Sequence, residues 1–160
     1  MANQNPVKIH KHAQGSDDER NAFLLKAMQD TVAEMELCMV ALKKSHSEEV
    51  LSLAETMIEE HGQLGLEMEQ IAQKKKIDAV LELSEENIAV IDGIWHAPDQ
   101  DFDRRFLEQN LKDHEDQLNV FRQCAAREKD RDIRTLAEKG EKMLSRHLQM
   151  VKDIEERMPA

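Results

Sequence analysis

No tyrosine occurs among the 160 residues, and one tryptophan and four phenylalanines are the only other aromatics. Five glycines and three prolines complete a profile poor in what sheets and tight turns use. Two cysteines, Cys38 and Cys124, cannot build a disulfide framework and fit a reducing compartment. No stretch approaches the ~20 apolar residues of a membrane span, so no membrane insertion is expected. The opening MANQNPVKIHKHAQGSDDER has no apolar core of a secretory signal, which leads to a cytoplasmic expectation. Basic charge is short as well: 22 Lys and Arg against 33 Asp and Glu give a net charge of −11. That balance disfavours nucleic acid and anionic membranes as partners. The run Lys74, Lys75, Lys76 reads as a solvated helix end.

What remains is the vocabulary of helices, with Leu, Ala, Glu, Lys, Gln and Met abundant. At 40% hydrophobic and 34% charged residues, the chain can bury one core. Residues 1–16 read as a flexible N-terminal tail carrying His10 and His12, and residues 17–158 as a single domain. Ser16, Asp17 and Asp18 offer caps for a first helix. Its inward stripe holds Phe23, Ala27, Asp30, Glu34, Leu37, Cys38 and Ala41. Ser47 caps a second helix bearing Val50, Leu53, Ala54, Met57, His61, Leu64 and Met68 on one face. A short helix over about 80–94 follows, and then a loop around His96 and Pro98 in which Trp95 is expected to plug the bundle end. Asp101 is the expected cap of the next long helix, with Phe102, Phe106, Asn110, His114, Leu118 and Phe121 inward. The last helix carries Ile133, Leu136, Ala137, Gly140, Met143, Leu144, His147 and Val151. The expected fold is all-α: an up-down four-helix bundle with an extra short helix in the crossover between helices two and three.

Three of the seven histidines, His61, His114 and His147, fall on apolar stripes of three different helices. If both hairpin turns lie at one end of the bundle, these residues stand 15, 16 and 17 positions from a turn. That is about 22–26 Å at 1.5 Å per residue, a common height. Asp30 matches that height on the first helix, with Glu34 one turn nearer the end. Buried unpaired, such a layer would be costly, whereas a metal ion would satisfy it. The candidate ligands are Glu34, His61, His114, His147 and Asp30. Zinc and iron lead, and copper stays open because Met57 and Met143 lie four residues before two of the histidines. Ile58, Leu111 and Leu144 stand three residues before the histidines, where a Glu-x-x-His di-iron motif needs glutamate, which disfavours a ferroxidase. Glu59 and Glu60 read as solvent-side charges. No nucleophile–base pair, phosphate loop or Cys-x-x-Cys is present, so an enzymatic role is left undecided.

Four stretches, AEMEL (33–37), LAETMIEEH (53–61), DFDRRFLEQNLKDHEDQL (101–118) and LSRHLQM (144–150), occur in an order and spacing that resembles a ferritin-like bacterial family of unknown function. Its members are often labelled outer-membrane or exported proteins. The resemblance covers roughly residues 21–155 and implies a ferritin-like bundle. It carries polar core positions over to Glu34, His61, His114 and His147, favouring Glu34 over Asp30 as the acid. Two functions compete. One is a mononuclear His/carboxylate metal centre for metal handling or stress protection. The other is a non-enzymatic interaction bundle whose polar layer only sets helix alignment. Protein partners and self-association are left open.

Overall fold

The computed structural model describes residues 11–79 and 81–159, with side chains from residue 17 onward. Five helices are present: α1 Lys11–Lys44, α2 Glu48–Lys74, α3 Glu85–Trp95, α4 Asp99–Arg127 and α5 Arg131–Arg157. No strand occurs among the described residues. The all-α four-helix bundle expected from periodicity is therefore the fold, with α3 as the extra helix.

Local chemistry sets most boundaries. Ser47 Oγ accepts the amide of Val50 at 3.3 Å, and the matching caps of α3 and α5 are Ser84 and Asp130. The helix α2 ends where Lys76 turns left-handed (φ 56°), with the amide of Ile77 bonding back to the carbonyl of Ala72. Three expected boundaries move. Ser16, Asp17 and Asp18 lie inside α1, which begins at Lys11 and runs on through Gly15. Most of the expected tail, residues 1–10, lies outside the described residues. The short helix starts at Glu85, since its capping residue is Ser84. Pro98 precedes α4, which places Asp101 in its first turn, paired with Arg104.

Neighbouring bundle helices are antiparallel. Arg20 meets Glu128 near the start of α1, and Ser45 Oγ donates to Asp103 at 2.6 Å near its end, so α1 opposes α4. Along the α2–α5 seam, Lys74–Asp132, Glu67–Lys139 and Glu60–Arg146 pair at seven-residue steps on both helices. The two hairpin turns therefore lie at opposite ends, which corrects the assumption behind the height count. The cause is the crossover: Gln29 reaches the carbonyl of Glu82, whereas Lys44 reaches those of Trp95 and Ala97. The 75–98 segment thus runs the length of the bundle before α4 begins. The histidines stay level despite the reversal, because each lies near the middle of its helix, where distance from either end is similar.

Two apolar clusters fill the interior. One gathers Leu37, Cys38, Val50, Leu53, Met57, Phe102, Phe106, Val151 and Ile154. The other gathers Leu24, Met28, Leu64, Met68, Leu118, Phe121, Ile133, Leu136 and Leu144. Cys38 belongs to the first and Cys124 flanks the second, so the two free thiols lie toward opposite ends. Trp95 is 43% exposed beneath the Lys44 ammonium, whereas Ile94, Ala97 and Phe102 at that end are buried. Gly140 lets α4 and α5 approach, since a Cβ there would collide with the ring of Phe121.

Candidate metal centre

On every bundle helix the apolar stripe breaks between the two clusters. The buried polar residues at the break are Thr31 and Glu34 on α1, His61 on α2, Asn110 and His114 on α4, and His147 on α5. The histidines are 0–1% exposed. Their ring centroids lie 5.2 Å (His61–His147), 5.5 Å (His61–His114) and 5.5 Å (His114–His147) apart. One ligand nitrogen from each falls within 4.8 Å of those of the other two. The three imidazoles predicted to share a layer do meet.

Hydrogen bonding assigns the tautomers of two of them. His114 Nδ1–H donates to the carbonyl of Asn110 at 2.9 Å, one turn back on its own helix, leaving Nε2 with the lone pair. His147 Nε2–H donates to Glu60 Oε2 at 2.6 Å, leaving Nδ1 free. The two free nitrogens face each other at 3.4 Å. Both nitrogens of His61 lack any protein partner, as does Asn110 Oδ1, whose amide is held by its Nδ2–H bond to the carbonyl of Phe106 at 3.0 Å. Nitrogens bound to one zinc ion at ~2.0–2.1 Å stand about 3.4 Å apart in tetrahedral geometry. The His114–His147 pair already has that spacing.

The electrostatics keep the rings neutral. Burial pushes His61 well below the ordinary imidazole range, and the other two imidazoles add to the effect. Burial and His147 bring His114 down to about 3, against the bond to Asn110. His147 is lowered by burial, with Glu60 opposing and Arg146 adding. Burial would raise Glu60, but its bonds from Arg146 and His147 outweigh that and hold it low. Neutral imidazoles that bring one nitrogen each close together are what a transition metal takes.

The two predicted acids are not grouped with the histidines. Glu34 is buried and accepts from the Cys38 thiol at 3.6 Å. Thr31 neighbours Gly65, Met35 neighbours Gly62 and Cys38 neighbours Met57. By that antiparallel alignment Glu34 stands level with His61, and Asp30 one turn farther along. Burial, then the charge of Asp113, raises Glu34 to about 8, with Cys38 opposing and Asp30 adding. Asp30 pairs with Lys26 and, with Glu34, lines a cavity of about 300 Å³ between α1, α3 and α4.

Glu60 was missed, having been read as solvent-side. Its side chain is 30% exposed, yet it is the acid that reaches the cluster. A signal was present: on α2 Glu60 and Glu67 are seven residues apart, as are Lys139 and Arg146 on α5, the pattern of facing charges across a helix seam.

A family model described as "Domain of unknown function (DUF4142)" matches residues 5–154. The chain belongs to this family. Among solved structures, this DUF4142 chain is similar to the crystal structure of a DUF305 fragment from Deinococcus radiodurans, at 16% identity and a TM-score of 0.79. The alignment covers 87% of this chain and 96% of that one, and at such identity the likeness is one of fold. No curated protein matches the chain. The expected kinship to a family of unknown function is thus met by DUF4142, while a ferritin-like relationship and an exported location form no part of either match. No described helix is long and apolar enough to cross a membrane.

Proposed function

We propose that the chain is a metal-binding helical bundle. The ligands of its mononuclear centre are His61, His114 through Nε2 and His147 through Nδ1, and its role is metal handling or stress protection. The observation that carries this reading is His61: a fully buried imidazole with no protein partner, facing two rings whose outer nitrogens are tied away. An ion bonded to its lone pair would account for one of those two nitrogens. Three imidazoles suit zinc, iron(II) or copper rather than a hard cation. On this reading Glu34, level with His61, would be the acid to join as a fourth ligand, ahead of Asp30, from outside the group of three histidines. A dication nearby would favour its ionised form.

Elemental analysis of protein purified without a histidine tag tests the reading. About one zinc, iron or copper per chain is expected, with a rise in Tm on adding back the metal to stripped protein. Under about 0.1 metal per chain together with no shift in Tm for any of the three ions refutes it.

The second reading is a structural polar layer, favoured by the 3.4 Å His114–His147 contact, which can close as an N–H···N bond without an ion. On that reading the double variant His114→Leu/His147→Leu is more stable than the parent at every metal concentration. On the metal reading it loses the response to metal.

A further inference from the structure

Among the three histidines, only His147 is bonded to a side chain from outside the cluster, and that side chain belongs to the opposite hairpin. A neutral imidazole has two tautomers, and the one adopted decides which nitrogen can take a ligand. For His114 the choice is made by its own helix, through the carbonyl of Asn110. For His147 no backbone carbonyl does this. Its alternative tautomer has a ready partner: Nδ1–H could donate to His114 Nε2, 3.4 Å away. The His114 lone pair would then accept that proton and His147 would present none inward, closing the cluster. Against that stands the Glu60 carboxylate at 2.6 Å from Nε2, itself fixed by the guanidinium of Arg146. A hydrogen bond to a carboxylate is stronger than one to a neutral ring nitrogen, so the open tautomer prevails.

We propose that Glu60 is a positioning residue: by accepting the Nε2–H of His147 it keeps the Nδ1 lone pair turned into the cluster and prevents a closing His147–His114 bond. What this accomplishes rests on the metal-centre reading above; the tautomer itself does not. Glu60 would act through His147 and not as a ligand, the role that carboxylates take behind metal-bound imidazoles elsewhere.

The test uses the full chain, metal-stripped and ¹⁵N-labelled, with long-range ¹H–¹⁵N correlations of the histidine rings. In the parent, His147 is expected as the Nε2–H tautomer. In Glu60→Leu it switches to Nδ1–H or to a mixture, and Glu60→Gln, whose amide oxygen still accepts, restores the parent form. Titration with zinc sulfate should show Kd raised about 10–100-fold in Glu60→Leu, with Glu60→Gln in between. An Nδ1–H tautomer in the parent overturns the proposal, whether or not the leucine variant folds. So does a Glu60→Leu spectrum in which His147 is unchanged. A tautomer switch in a protein that binds no zinc removes the metal centre and keeps Glu60 as the group that sets His147. Zinc binding with no switch does the reverse.

Discussion

Replacing His61 by leucine should separate what the imidazole costs the bundle from what it does. In the metal-free protein both ring nitrogens are buried without a protein partner. Leaving a buried polar group unsatisfied costs about 1–3 kcal/mol, and a neutral ring has one donor and one acceptor to satisfy. Leucine is similar in size and extends the apolar stripe of α2, placing Met57, Leu64 and Met68 on a continuous face. The shape mismatch of such a swap takes back about 1 kcal/mol. With both ring nitrogens counted, a net gain of about 1–5 kcal/mol follows, which at about 2–4 °C per kcal/mol for a chain of this length raises Tm by roughly 2–20 °C. The same substitution removes one of three ligands, so the rise in Tm that zinc gives the parent should vanish. The assay is thermal unfolding by circular dichroism with chelator and with excess zinc, on parent and variant. A His61→Leu protein less stable than the parent in chelator refutes the reasoning, because it would show that those nitrogens are satisfied. A zinc-dependent shift that survives in the variant refutes His61 as a ligand.

Other perturbations probe the surroundings. Glu34 keeps its proton up to about pH 8 in the folded chain, against an ordinary value of 4.5. Between those values the unfolded chain ionises and the folded one does not, so this residue makes stability fall as pH rises, by at most ~1.4 kcal/mol per pH unit, levelling above pH 8. Glu34→Gln removes that slope, and urea unfolding should show its advantage over the parent growing from pH 5 to pH 8; parallel profiles would contradict the burial of this carboxyl. Two glycines should respond in opposite directions. Gly140→Ala forces the Phe121 ring aside and should cost about 1–3 kcal/mol. Gly93→Ala, facing open space within α3, should add about 0.5–1 kcal/mol. Chemical denaturation of both variants checks the pair, and a stabilised Gly140→Ala would mean that the α4–α5 contact is looser than described.

Helical periodicity carried most of the fold, because each bundle helix buries one stripe for nearly its whole length. Ser47 was legible as a cap since its side chain acts on an amide three residues away. The direction of the crossover was not legible, since no local pattern distinguishes a connection that turns back from one that runs the length of a bundle. That error left the histidine layer intact only because His61, His114 and His147 are mid-helix. The role of Glu60 depends on which helix faces α2 at that height, a property of packing and not of α2 alone. Trp95 failed as a plug for a similar reason: its size suggested burial, while Ile94 and Ala97 beside it supply the apolar contact.

The division of the interior into two apolar clusters bears on how the molecule can come apart. The first cluster takes the closed end of the α1–α2 hairpin, Leu37 to Met57, and sets it against the open end of the other hairpin, from Ile94 to Leu107 with Val151 and Ile154. The second does the converse, enclosing Leu118 to Leu144 with Leu24, Ala27, Met28, Leu64, Met68 and Ala72. Neither hairpin therefore owns a core. A fragment ending in the crossover would carry half of each cluster and a complete share of neither, and should stay unfolded until its complement is supplied. The two halves of the chain hold each other like a pair of clasped hooks, and the polar layer lies where the hooks cross.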